Sequence, residues 1–106
     1  MTPASVTLRA AARRDVDEVI THYLEEAGSQ VALGFTDALQ EAFRHIADNP
    51  RSGSPRYGQE VNVPGLRSWP IKGYPHLVFY MVGQGQIDVW RVLHSRRDIP
   101  DWLPGS

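Results

Sequence analysis

The chain has no cysteine among its 106 residues, which excludes a disulfide framework and any thiolate metal site. Lysine is almost as scarce. Lys72 is the only one, so the positive charge rests on arginine. No apolar run approaches the roughly 20 residues that a membrane helix needs, and residues 1–10 lack the charged-then-apolar form of a signal peptide. The expected setting is therefore the cytoplasm, which suits a chain without cysteine. The four histidines, His22, His45, His76 and His94, lie one to a segment. None has a partner at His-x-x-x-His spacing, so neither a metal nor another cofactor is expected. No phosphate-binding glycine loop precedes a helix, and no serine sits in a nucleophile-elbow context.

What remains is an ordinary globular composition, with 42% apolar and 22% charged residues, long enough for one domain spanning residues 1–106. The net charge of −1 hides an asymmetry. Residues 1–50 carry four Arg against eight Asp and Glu, net −4, whereas residues 51–106 carry seven Lys and Arg against four, net +3. Two readings stay open: an acidic helical face beside a mildly basic sheet, or a cationic surface aimed at an acidic partner.

The pattern of the chain predicts β-α-α-β-β-β. Residues 5–9 alternate as a short edge strand. Val16, Val19, Ile20, Tyr23, Leu24 and Ala27 then repeat at helical spacing, with Asp15, Asp17, Glu18, Glu25 and Glu26 on the other faces and Gly28 as the stop. Ser29 is the expected cap of a second helix striped by Val31, Phe35, Ala38, Leu39, Ala42, Phe43 and Ile46. Gly34 points to close approach of the first helix, and Asn49-Pro50 ends the segment. Residues 50–65 read as a long irregular connection. Residues 66–72 follow as a strand confined by Pro70 to an edge or bulge. Two dense β-branched and aromatic runs, 76–82 and 86–94, flank Gly83-Gln84-Gly85 as a hairpin. The Pro-rich tail is not expected to form a helix; Trp102 and Leu103 should fold back. The expected architecture is α+β, with a helical hairpin on one face of a small antiparallel sheet. Two helices cover only part of four strands, so apolar surface should be left for a partner.

The end of the last strand gathers the most reactive side chains. Arg91, His94, Arg96, Arg97 and Asp98 suit acid–base chemistry on a phosphodiester, with His moving the proton and Arg holding phosphate oxygens. They equally suit an Asp98 ion pair with Arg96 or Arg97 beside a strand-end His94. Trp69, Trp90 and Trp102 with Tyr74 and Tyr80 offer stacking faces for bases, though core packing or a protein interface explains them as well.

Several of these stretches resemble the ParE branch of the RelE/ParE toxin superfamily. They are the Ala-rich helix start with Asp15-Val16-Asp17-Glu18-Val19-Ile20-Thr21-His22-Tyr23, then Asn49-Pro50, Gly53 and Gly65-Leu66-Arg67. His76-Leu77-Val78-Phe79-Tyr80 and Arg91-Val92-Leu93-His94-Ser95-Arg96-Arg97-Asp98 complete the set. The likeness runs over about residues 6–98, and its last segment is the most specific. It implies the same β-α-α-β-β-β fold and the toxin half of a toxin–antitoxin pair. Such toxins act on DNA gyrase, whereas RelE-type relatives cut mRNA in the ribosomal A site. The tail has no Tyr after Tyr80, the chain has one Lys and its net charge is slightly acidic, all departures from the nuclease pattern.

The resemblance thus implies a non-catalytic toxin that binds gyrase through Arg67, Lys72, His94, Arg96 and Arg97. A ParD-like antitoxin would engage Tyr23, Phe35 and Trp90 with a segment that folds on binding. On the alternative, a ribosome-dependent endoribonuclease, His94, Arg96 and Arg97 would be catalytic. A third possibility is an inactive relative kept as an antitoxin-binding module.

Overall fold

Apolar density decides where the chain becomes sheet. A computed structural model describes residues 3–97 and 99–103. Its elements run β1 (Ser5–Leu8), α1 (Ala10–Glu26), α2 (Ser29–Asp48), α3 (Arg56–Glu60), β2 (Arg67–Pro70), β3 (His76–Val82), β4 (Gln86–His94) and α4 (Ile99–Trp102). The hairpin strands β3 and β4 keep the bounds expected from their β-branched and aromatic runs. The strand order is β1-β4-β3-β2. β2 is therefore an edge strand, the position that Pro70 requires.

The sheet is mixed rather than wholly antiparallel: β1 pairs parallel with β4, from Ser5 opposite Gln86 to Leu8 opposite Val89. Everything between the two strands acts as a long crossover, which parallel pairing needs. Within the hairpin the register passes from Phe79↔Arg91 to Tyr80↔Val89, leaving Trp90 as an extra residue on β4. This bulge lets Val89 and Val92, an odd number of positions apart, face the same side.

That side packs on the helices. Ala12, Phe35, Leu39, Ala42 and Ile46 meet Ile71, Val78, Tyr80, Ile87, Val89 and Val92 in one buried cluster. Leu24 lies off the stripe and is 51% exposed. Ser29 is not the cap of α2. Gly28 holds that position at φ 94°, and it makes no side-chain cap bond. Gly34 is closely approached, but by the Tyr74 ring, whose hydroxyl donates to the Val31 carbonyl at 2.9 Å, and not by α1.

The opposite sheet face is also covered, contrary to the expected leftover surface there. Phe79 and Leu93 pack with Val61, Leu66, Ile99 and Leu103 in a second buried cluster. The connection 50–65 is thus structured. It contains α3, a bridge between Ser54 and Ser68, and a clasp in which the Tyr80 hydroxyl donates to the Pro50 carbonyl and accepts from Gly53 N–H. The tail forms the single turn α4 despite its prolines, and Leu103 folds back to near-complete burial. Among the described residues no helix is long and apolar enough to cross a membrane.

Candidate functional site

β1 ends at Leu8, so β4 has no strand neighbour beyond Val89 on that side. A bare strand edge leaves N–H groups to be satisfied. Asp15, from the first turns of α1, fills the gap. Its Oδ2 accepts Val92 N–H at 3.0 Å and Arg91 Nε at 2.7 Å, while Oδ1 accepts Arg91 Nη2 at 2.7 Å. The remaining Arg91 nitrogen, Nη1, donates to the Trp102 carbonyl at 2.8 Å. One buried ion pair therefore joins α1, the end of β4 and the tail. The bonds from Asp15 push the Arg91 guanidinium up, against an opposing effect of burial.

Between α1, the last residues of β4 and Trp102 lies a groove of about 550 Å³, a size typical of ligand and segment sites. Its floor holds His76 and Val92; its walls carry Glu18, Val19 and His22 on one side and Leu93, His94, Arg96 and Arg97 on the other. The strand end positions the last of these. His94 Nδ1 accepts Arg96 N–H at 3.0 Å, and Arg97 N–H bonds the His94 carbonyl at 3.1 Å. The neutral His94 therefore carries its proton on Nε2. Arg96 and Arg97 are exposed and form no ion pair among the described residues. The Arg97 guanidinium sits 4.4 Å from the Trp102 ring centroid, which fixes its direction without neutralising it.

His76, directly opposite His94 in the ladder, is 7% exposed, and its ring lies 5.2 Å from that of His94. Phe35 packs against it at 5.3 Å and Tyr23 at 6.1 Å. Its Nδ1 has no hydrogen-bond partner among the described residues. Burial, then the charges of His94 and His22, push the imidazole down to about 4. The unfolded chain takes up this proton near pH 6.5, whereas the folded chain refuses it until about pH 4. Stability from this group is thus full above pH 6.5 and is lost as pH falls through that window, by about 2 kcal/mol at pH 4.5. Urea titrations at pH 7.5 and 4.5 should show a loss that shrinks by this amount in a His76→Phe variant; an identical loss in both proteins would contradict the assignment.

The sequence residues separate accordingly. His94, Arg96 and Arg97 meet at the groove, and exposed Lys72 lies in the β2–β3 turn at the same end of the sheet. Arg67 does not join them. It pairs opposite Tyr80 in the ladder and gives Nη1 to the Gly53 carbonyl at 2.7 Å. Arg91 is absorbed by Asp15. The expected pairing of Asp98 lies outside the described residues. Among the described residues no group of three or more His, Asp or Glu is placed to hold a metal ion. The charge of Asp15 suggests an outer face, yet Ala12, Asp15 and Val19 run at i, i+3 and i+7, a spacing that puts it on the buried stripe.

The sequence profile of the family described as "ParE toxin of type II toxin-antitoxin system, parDE" matches residues 6–99. The chain belongs to the ParE toxin family. It is 37% identical over 93 residues to "Toxin ParE1" of Mycobacterium tuberculosis (strain CDC 1551 / Oshkosh), covering 87% of this chain and 90% of that protein. The toxin of the same name in strain ATCC 25618 / H37Rv gives the same figures. In fold, the chain is similar to a solved structure titled "Chromosomal ParDE TA system from P. aeruginosa". The TM-score is 0.71 at 22% identity, over 86% of this chain and 95% of that one.

Within this ParE-family fold the three residues expected to meet an antitoxin differ in access. Phe35 is fully buried between helix and sheet, so it offers no surface to a partner and is a core residue. Tyr23 is half-buried against Phe35 and Tyr74 at 5.9 and 5.5 Å. Trp90 is half-buried; its Nε1 donates to Asp88 at 3.0 Å, and the Arg9 guanidinium lies 4.3 Å from its ring centroid. Of the other stacking candidates, Trp69 is covered by the His45 ring at 3.9 Å, whereas Trp102 is 43% exposed.

Proposed function

We propose that this ParE-family chain is the toxin of a type II pair that inhibits DNA gyrase and so blocks replication, acting in the cytoplasm. It does so by binding, with no catalytic step of its own, and a ParD-like antitoxin neutralises it. The observation that carries the reading is the exposed pair Arg96 and Arg97, held by the His94 turn beside a groove. A hydrogen-bonded backbone turn behind exposed cationic side chains is the arrangement expected of a surface that grips a macromolecule. Lys72 extends the same end of the sheet. Arg67, engaged with Gly53, contributes to the loop clasp instead of the grip.

Against a ribosomal nuclease stands the charge around His94. A single Lys in the chain and Glu18 across the groove make a poor track for an RNA backbone. For the antitoxin, the exposed Leu24 and Leu33 on the helices, with the outer edges of Tyr23 and Trp90, supply apolar surface for a segment that folds on binding. The test is to purify the chain alone and assay gyrase supercoiling and mRNA cleavage side by side. Inhibited supercoiling with intact mRNA, reversed by the antitoxin, supports the reading. Codon-phased cuts indicate a nuclease, and no effect on either indicates an antitoxin-binding module.

A further inference from the structure

We infer that the groove between α1 and the end of β4 seats an acidic peptide segment, with a carboxylate on Arg96, Arg97 and His94 and a neighbouring apolar side chain on Val19, Leu93 and Trp102. This deepens the proposed function by naming the chemistry of the partner surface, and it rests on reading the groove as the toxin's grip. Three features carry it. Of the two carboxylates that line the groove, Asp15 is already saturated by Arg91 and Val92 N–H, so it does not compete for Arg96 or Arg97. The arginines make no ion pair among the described residues, which leaves a ready counter-charge for a carboxylate. Beneath them the buried His76 ring lines the same groove together with Val19, Leu93 and Trp102, so an apolar wall lies beside the cations.

The same features select a peptide over a nucleic acid. A polyanion needs a continuous basic track, whereas here Glu18 and His22 face the arginines across the groove. Point charges flanked by apolar wall match an alternating acidic–apolar segment. The acidic helical half of a second copy of this chain, net −4 over residues 1–50, is the competing occupant.

The full chain is titrated, with NMR detection of the imidazole and arginine side-chain signals, using a blocked peptide of alternating Asp and Leu. The same peptide with Asn for Asp and a single-stranded DNA of equal length are compared. The acidic peptide should shift the His76 and His94 signals and bind about tenfold tighter than the Asn peptide. R96Q/R97Q should remove about that factor, while R13Q/R14Q, exposed on α1 outside the groove, should change affinity by less than about twofold. Equal binding of the Asn peptide, tighter binding of the DNA, unmoved histidine signals, or self-association of the free chain that R96Q/R97Q abolishes would each overturn the inference. Supercoiling assays on the same samples separate the two levels. Peptide binding without gyrase inhibition keeps the site and removes the gyrase reading; gyrase inhibition by a chain that does not bind the acidic peptide removes the site and keeps the gyrase reading.

Discussion

Asp15→Ala is expected to cost the fold about 4 kcal/mol, a large share of the 5–15 kcal/mol that holds a domain together. The Asp15 side chain is 9% exposed and that of Arg91 16%, so solvent does little to replace what the substitution removes. Two effects add. Arg91 is left as a buried cation without its counter-charge, and Val92 N–H loses its acceptor on a strand edge that β1 does not reach. Asp15→Asn keeps an acceptor for Val92 and should recover about half of the loss. Arg91→Met in the Asp15→Leu background should be less damaging than the sum of the single changes, because it removes both charges together. Thermal and urea unfolding of the set measures this. A change below about 1 kcal/mol in Asp15→Ala, the value of an exposed ion pair, would show that the pair does not tie α1, β4 and the tail.

Gly58→Ala should also be severe, at about 2–4 kcal/mol, and its sign discriminates between two views of residues 50–65. A Cβ there would stand 2.5 Å from the Leu66 carbonyl oxygen and 2.9 Å from that of Val63. Both are backbone atoms in the turn that lays Val61 and Leu66 over Phe79 and Leu93. The clash forces the cover away from the sheet, so amides of residues 57–66 should exchange faster with solvent and the second cluster should loosen. If this stretch were instead a mobile loop, Ala would fit and would stabilise by up to about 1 kcal/mol through the unfolded chain. Hydrogen exchange with a urea midpoint decides between them.

These two positions also mark where sequence reading stops. β3 and β4 were legible because their β-branched and aromatic residues leave no helical alternative and glycines punctuate the turn. Pro70 narrowed β2 to an edge or a bulge, and the strand order makes it an edge. The direction of β1 was not legible: four alternating residues pair equally well either way, and only the crossover through two helices decides. The bulge at Trp90 has no local signature, yet it puts Val89 and Val92 on one face and turns Trp90 to the other cluster. At Asp15 charge and spacing disagree: an acidic residue suits an outer helix face, whereas its spacing matches the buried stripe, and the buried position wins. Nothing in the sequence separates Arg67 from the cations at the groove, yet its guanidinium bonds the Gly53 carbonyl and does not line that groove. In sequence Phe35 suits both the helical stripe and a partner contact, and packing allows only the first. At the groove, sequence brought out His94, Arg96 and Arg97 by their crowding at a strand end, but nothing in the chain announced that His76 lies under them.

The cationic rim of that groove is the proposed working surface. The most direct measurement is inhibition of gyrase supercoiling by the purified Arg96→Ala/Arg97→Ala protein beside the parent chain. Its thermal midpoint should lie within about 2 °C of the parent, since both side chains are exposed, and its inhibition should be weaker by about tenfold or more. A double variant that folds normally and inhibits gyrase as strongly as the parent would contradict that assignment.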